Sequence, residues 1–149
     1  MKKIICSDMT LVQSSKGLSF KEKIEIARHL DNLCVDVIHM PPIENVKTDS
    51  LMIRTICAFI KNSAVCVETG ATAEGVAAAA AAVQKARRAR LMVRLPVSAV
   101  QMEYTYHKKA PKMLELAKGL FAAATAACSD VEFFAEDATR ADASFLSEM

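Results

Sequence analysis

With 149 residues, 52% of them hydrophobic and 24% charged, the chain has the make-up of a single globular domain spanning residues 1–149, long enough to bury a core. The formal charge is only +2, with acids and bases interspersed and no basic stripe carrying interleaved aromatics, which argues against a nucleic-acid partner. No apolar run approaches the roughly eighteen residues of a spanning helix, and the charged start Met1-Lys2-Lys3 meets Ser7-Asp8 too soon for a signal peptide, so no membrane partner and a cytoplasmic location are expected.

Apolar runs of strand length alternate with longer segments of helical period. A buried first strand is expected at about residues 3–6. Ser19-Phe20-Lys21-Glu22 then reads as a capping box, opening a helix with Ile24, Ala27, Leu30 and Leu33 on one face. Residues 35–38 form the second strand, ended by Pro41-Pro42, and a helix follows at about residues 49–60. The third strand is residues 64–67, with Gly70 at the turn and Thr72 as N-cap of an alanine-rich helix. Glu74 near the start of that helix and Arg87-Arg88 at its end would suit the macrodipole. Residues 91–95 are the fourth strand, stopped by Pro96. A loop is expected from residue 97 to about residue 110, carrying Tyr104, Tyr106 and His107, before Pro111 starts a helix that runs through Ala127. Residues 131–134 are the fifth strand; a loop at 135–141 precedes a last helix capped by Asp142.

Regular alternation of this kind predicts parallel strands joined by crossover helices. Two architectures satisfy it. One is a partial (β/α)8 TIM barrel of about five βα units, the complete barrel needing roughly 250 residues. The other is an open, doubly wound five-stranded sheet, for which this length is natural.

The five cysteines, Cys6, Cys34, Cys57, Cys66 and Cys128, are widely spaced and contain no C-x-x-C pair. They read as small hydrophobes of a reducing compartment, with a cysteine nucleophile as the minor alternative. His39 lies at a strand's carboxyl end, with Glu68 on the next strand and Asp8 on the previous one. Parallel strands would bring the three to one rim, either as a metal or acid–base site or as unrelated solvated groups. His29 is expected on the surface, and Tyr104, Tyr106, His107, Lys108 and Lys109 in an exposed loop.

Several stretches carry a resemblance in register along nearly the whole chain. Asp8-Met9-Thr10-Leu11 resembles a D-T-T-L opening; residues 20–27 and 30–38 resemble a first helix and second strand; Ser98-Ala99-Val100-Gln101-Met102-Glu103-Tyr104 resembles T-S-x-I-H-M-E-Y; and residues 131–140 resemble a fifth strand followed by E-D-x-x-R. Together they are similar to the front half of the barrel in the isopropylmalate, homocitrate and citramalate synthases and hydroxymethylglutaryl-CoA lyase.

The resemblance implies a pyruvate-carboxyltransferase-type barrel that condenses an acyl-CoA with a 2-oxo acid, with a divalent metal polarising the oxo group and a base forming the acetyl-CoA enolate. It carries across Asp8, Ser98, Asp137 and Arg140 as substrate-side residues and Glu136 as a catalytic carboxylate. Read from the residues alone, Asp137 and Arg140 make a loop ion pair that orients Glu136 and caps the last helix, and Glu136 fits either reading. Departures are equally specific. The family's arginine and metal-binding aspartate fall on Val12 and Gln13, its fourth-strand histidine on about Met92 and the histidine of H-M-E-Y on Gln101. Its H-x-H belongs to a later strand, and the loop over residues 14–17 is short. No metal ligand is therefore assigned from the resemblance. The expectation is a synthase-like chain inactive in isolation, or else a non-catalytic binding or self-assembly module; either way homo-oligomers are expected, because a truncated barrel leaves sheet edges unpaired.

Overall fold

The computed structural model describes residues 4–14 and 17–149. Five parallel strands run in the order β1-β2-β3-β4-β5: β1 (Ser7–Asp8), β2 (Val37–His39), β3 (Ala64–Glu68), β4 (Ala89–Pro96) and β5 (Val131–Glu136). Between and beside them lie α1 (Thr10–Gln13), α2 (Phe20–Asn32), α3 (Val46–Phe59), α4 (Ala73–Val83), α5 (Ala99–Tyr106), α6 (Ala110–Ala127) and α7 (Ala143–Glu148).

Strand order decides between the two architectures. A doubly wound sheet reverses direction at a switch point and carries helices on both faces. Here the order is strictly sequential, and the main core lies on one side only. Ile38, Val65, Val67, Leu91, Val93 and Leu95 bury that face against Ile53 and Ile56 of α3, Val76 and Ala79 of α4, and Met113 and Leu120 of α6. The small side chains of α4 let it seat between α3 and α6. The alternate residues Val37, Ala64, Cys66 and Met92 form a separate small cluster on the opposite face.

That second face is concave. Strands lie about 4.8 Å apart, so a flat sheet would hold β2 and β5 roughly 14 Å from each other. Yet ligand atoms of His39 on β2 and Glu132 on β5 come within 4.8 Å. Such an approach needs a curled sheet, and the fold is a partial (β/α)8 barrel.

Local signals account for most element starts. Ser19 and Glu22 close the expected capping box reciprocally, Thr72 accepts from the Gly75 amide, Pro111 lies in the first turn of α6, and Asp142 accepts from the Ser144 and Phe145 amides. Gly70 takes the left-handed conformation at the turn, with φ at +65°.

Other boundaries differ from expectation. The first strand is not buried: β1 covers Ser7–Asp8, while Ile4 and Ile5 are exposed, because an edge position offers one neighbour. Cys6 still joins the ladder, its carbonyl accepting from the Asp36 and Val37 amides. Lys3 of the expected strand, and Ser15 and Lys16 of the shortened loop, lie outside the described residues. α3 begins earlier than expected because Asn45 caps it, accepting from the amides of Lys47 and Thr48. α4 ends at Val83, before Arg87 and Arg88, and Arg88 instead donates to the Asn62 carbonyl. The stretch expected as a loop from residue 97 to 110 contains α5, capped by Ser98 and closed by His107 in the left-handed region. Among the described residues no helix is long and apolar enough to cross a membrane.

Candidate functional site

All five strands point their carboxyl ends to one rim, where barrel proteins place their chemistry. Alternation along β3, β4 and β5 sends Glu68, Arg94 and Glu136 to the concave side of that rim. Arg94 is the hub. Its Nη2 donates to Glu136 Oε1 at 2.6 Å, its Nη1 lies 3.8 Å from Glu68 Oε2, and its guanidinium sits 5.3 Å from the centre of the Phe134 ring. Burial pushes the Glu68 carboxyl up; Arg94 opposes the shift and Glu136 adds to it. Tyr106, half-buried at the end of α5, has its phenol raised by burial and then by the charges of Glu136 and Glu68. The arrangement holds two carboxylates on one cation, the less solvated of them with raised proton affinity.

A second network lies immediately beyond β5. Asp137, itself in the left-handed region with φ at +60°, receives Arg140 Nε at 2.8 and 2.9 Å on its two oxygens and the Ser98 hydroxyl. The Arg140 and Ser98 hydrogen bonds hold its carboxyl below the usual aspartate range. Ser98 is buried, and its oxygen also accepts from the Gln101 amide. One hydroxyl thus caps α5 and ties that helix to the β5 loop.

Deeper on the concave face, His39 (5% exposed) meets Cys66 and Glu132, the three ligand atoms lying within 4.8 Å of one another. Arg90 fixes Glu132 through Nη1 at 3.0 Å and holds Asp130 through Nε at the same distance. Burial lowers the proton affinity of His39, Glu132 pulling against it, and pushes the Cys66 thiol to about 12. At neutral pH that thiol is protonated, so an unaided cysteine nucleophile is not what this site provides.

The structure therefore sorts the residues picked out in the sequence. Ser98, Asp137 and Arg140 come together as one network, and Glu136 joins Glu68 through Arg94. His39 and Glu68 line one small cavity, and the Asp8 charge acts on His39; the ligand atoms that come within 4.8 Å of one another are those of His39, Cys66 and Glu132. The Asp8 carboxylate is turned to the Thr10 amide and hydroxyl at 2.9 and 3.2 Å. His29 and Tyr104 are exposed, as expected. The sequence reading missed Arg94, Arg90, Glu132 and the site-ward position of Tyr106. A signal was available: on β4 and β5 the charged Arg90, Arg94, Glu132 and Glu136 share with Met92 and Phe134 one face at period two, alternating with a wholly apolar face.

The family model for HMGL-like proteins matches residues 12–149. The chain belongs to the HMGL-like family. It is 35% identical over 148 residues to a 2-isopropylmalate synthase of Methylibium petroleiphilum and 34% identical over 148 residues to that of Acidovorax ebreus, each alignment covering 97% of this chain and 29% of the relative. A 2-isopropylmalate synthase of Shewanella sp. strain ANA-3 is 32% identical over 151 residues, again at 29% of its length. The chain thus spans less than a third of these relatives.

The HMGL-like resemblance implies acetyl-CoA and a divalent metal. The aligned metal position is Gln13, an exposed amide at the end of α1. A hard cation needs charged oxygen ligands, and this corner of the HMGL-like fold supplies one neutral amide in their place. The donor set does not fit that metal.

Proposed function

We propose that this chain is the strand-forming front part of an acyl-CoA/2-oxo acid condensing barrel, like the isopropylmalate or homocitrate synthases, and that by itself it does not catalyse the condensation. The reading is carried by one observation: Arg94 clamping Glu136 and Glu68 at the carboxyl rim, within a chain aligned along 97% of its length to 2-isopropylmalate synthases. A 2-oxo acid presents a carboxylate, which Arg94 or Arg140 would bind by giving up part of its present ion pair with Glu136 and Glu68 or with Asp137. Condensation also needs a positive group on the oxo oxygen as charge develops there. The positions aligned with that task hold Val12 and Gln13, and neither offers a charge.

The test is to supply acetyl-CoA with a panel of 2-oxo acids and follow release of the CoA thiol. No turnover above the uncatalysed rate is expected from the isolated chain. Robust turnover, lost on Glu136→Gln, would show instead that the missing arginine and aspartate are dispensable.

A second reading, a non-catalytic assembly module, is favoured by a different observation. β1 and β5 are the two edges of the sheet, and Phe134 is 41% exposed on its concave face. Both features suit pairing with a second copy.

A further inference from the structure

The His39–Cys66–Glu132 group does not include Gln13, the position aligned with the family's metal ligand, and nothing in the proposed condensation uses it. We propose that these three side chains form a binding site for a borderline transition-metal cation of the zinc class on the concave face of the sheet.

Ligand chemistry sets the class. An imidazole nitrogen, a thiolate sulfur and a carboxylate oxygen suit zinc or cobalt(II), whereas magnesium and calcium prefer oxygen alone. Geometry agrees. The three atoms lie within 4.8 Å of one another, and a tetrahedral zinc with bonds of roughly 2.0–2.3 Å draws its ligands to about 3.5 Å apart, an adjustment of about 1 Å. His39 and Cys66 are fixed on neighbouring strands in direct register, so their separation is set by the ladder. Glu132 is held by Arg90 through one oxygen, Oε2; ligating carboxylates commonly have such a supporting partner. Of the three, His39 alone also lines a small cavity of about 30 Å³, shared with Val12, Glu68, Met92, Arg94 and Phe134. On binding, the Cys66 thiol loses its proton to solvent and the thiolate enters the coordination sphere; no oxidant or reductant is involved.

Cobalt(II) is the probe, added to the full chain under reducing conditions. One equivalent should bind and give the visible bands of a tetrahedral site together with a thiolate-to-cobalt charge-transfer band. Cys66→Ser should abolish that band, and Cys66→Ser and His39→Gln should each weaken binding by at least the roughly 10–100-fold lost when even a supporting partner of a ligand is removed. Cys6 and Cys34 are exposed thiols able to capture metal, so the Cys6→Ser/Cys34→Ser variant is the control and should retain the site. Zinc should raise the melting temperature of the unmodified chain and leave Cys66→Ser unmoved. The proposal is overturned if the folded chain binds no equivalent of cobalt, if the bound cobalt shows no thiolate band, if the band survives in Cys66→Ser, or if it disappears in the control. Should Cys66→Ser fail to fold by circular dichroism, His39→Gln decides: unchanged affinity and spectrum would be equally fatal.

Discussion

Asp31 shows how one buried side chain can organise a connection far along the chain. It is 3% exposed at the end of α2, and its two oxygens accept from the amides of Lys61, Asn62 and Ser63, which lead into β3. Burial alone would raise the carboxyl, but the hydrogen bonds from Ser63, Lys61 and Asn62 together outweigh it and hold the group below its ordinary value. A folded value below the unfolded one contributes stability that is complete above the unfolded range, about pH 4, and is lost as pH falls through the folded value. Asp31→Asn replaces one acceptor oxygen by a donor facing an amide donor. It should cost about 1–3 kcal/mol near neutrality. In urea titrations at neutral and acid pH the gap between the two proteins should shrink on acidification, and an undiminished gap would mean the charge is not what matters. Asp31 went unnoticed in the sequence because its partners lie some thirty residues away, in a segment with no motif of its own.

Elements with a local signature were legible, and those shaped by neighbours were not. Ser19 with Glu22, Thr72, Pro111 and Asp142 marked their helices because a cap is a contact within four residues. α5 was hidden: Gln101, Glu103 and Thr105 break its apolar pattern, and Ser98 reads equally well as a loop serine until its oxygen is seen accepting from Gln101. The rim residues Glu68 and Glu136 could be placed by counting strands, but their shared partner Arg94 depends on the curl of the sheet, which no single segment encodes. Backbone crowding gives a sharper test at the element scale. A Cβ on Gly75, in the first turn of α4, would collide with the Thr69 carbonyl oxygen, whereas one on Gly119 in α6 would meet nothing within 4 Å. Gly75→Ala should therefore destabilise by about 1–3 kcal/mol. Gly119→Ala should stabilise by up to about 1 kcal/mol through helix propensity. Chemical denaturation of both variants checks the pair, and equal signs would contradict the packing described around α4.

At the scale of the whole molecule, the five described strands curl part of the way round, with β1 and β5 at the edges of their sheet. Strand edges with unpaired N–H and C=O groups are adhesive. Light scattering should find dimers or larger species whose proportion rises with protein concentration; a monomer persisting at high concentration would remove support for the assembly reading while leaving the synthase-like reading untouched. The sequential strand order has another consequence, in how the protein comes into being. Among the described residues, each strand from β2 to β5 pairs with the one made just before it. Loop closure then stays cheap at every step, and the sheet can lengthen by one strand at a time as the chain leaves the ribosome.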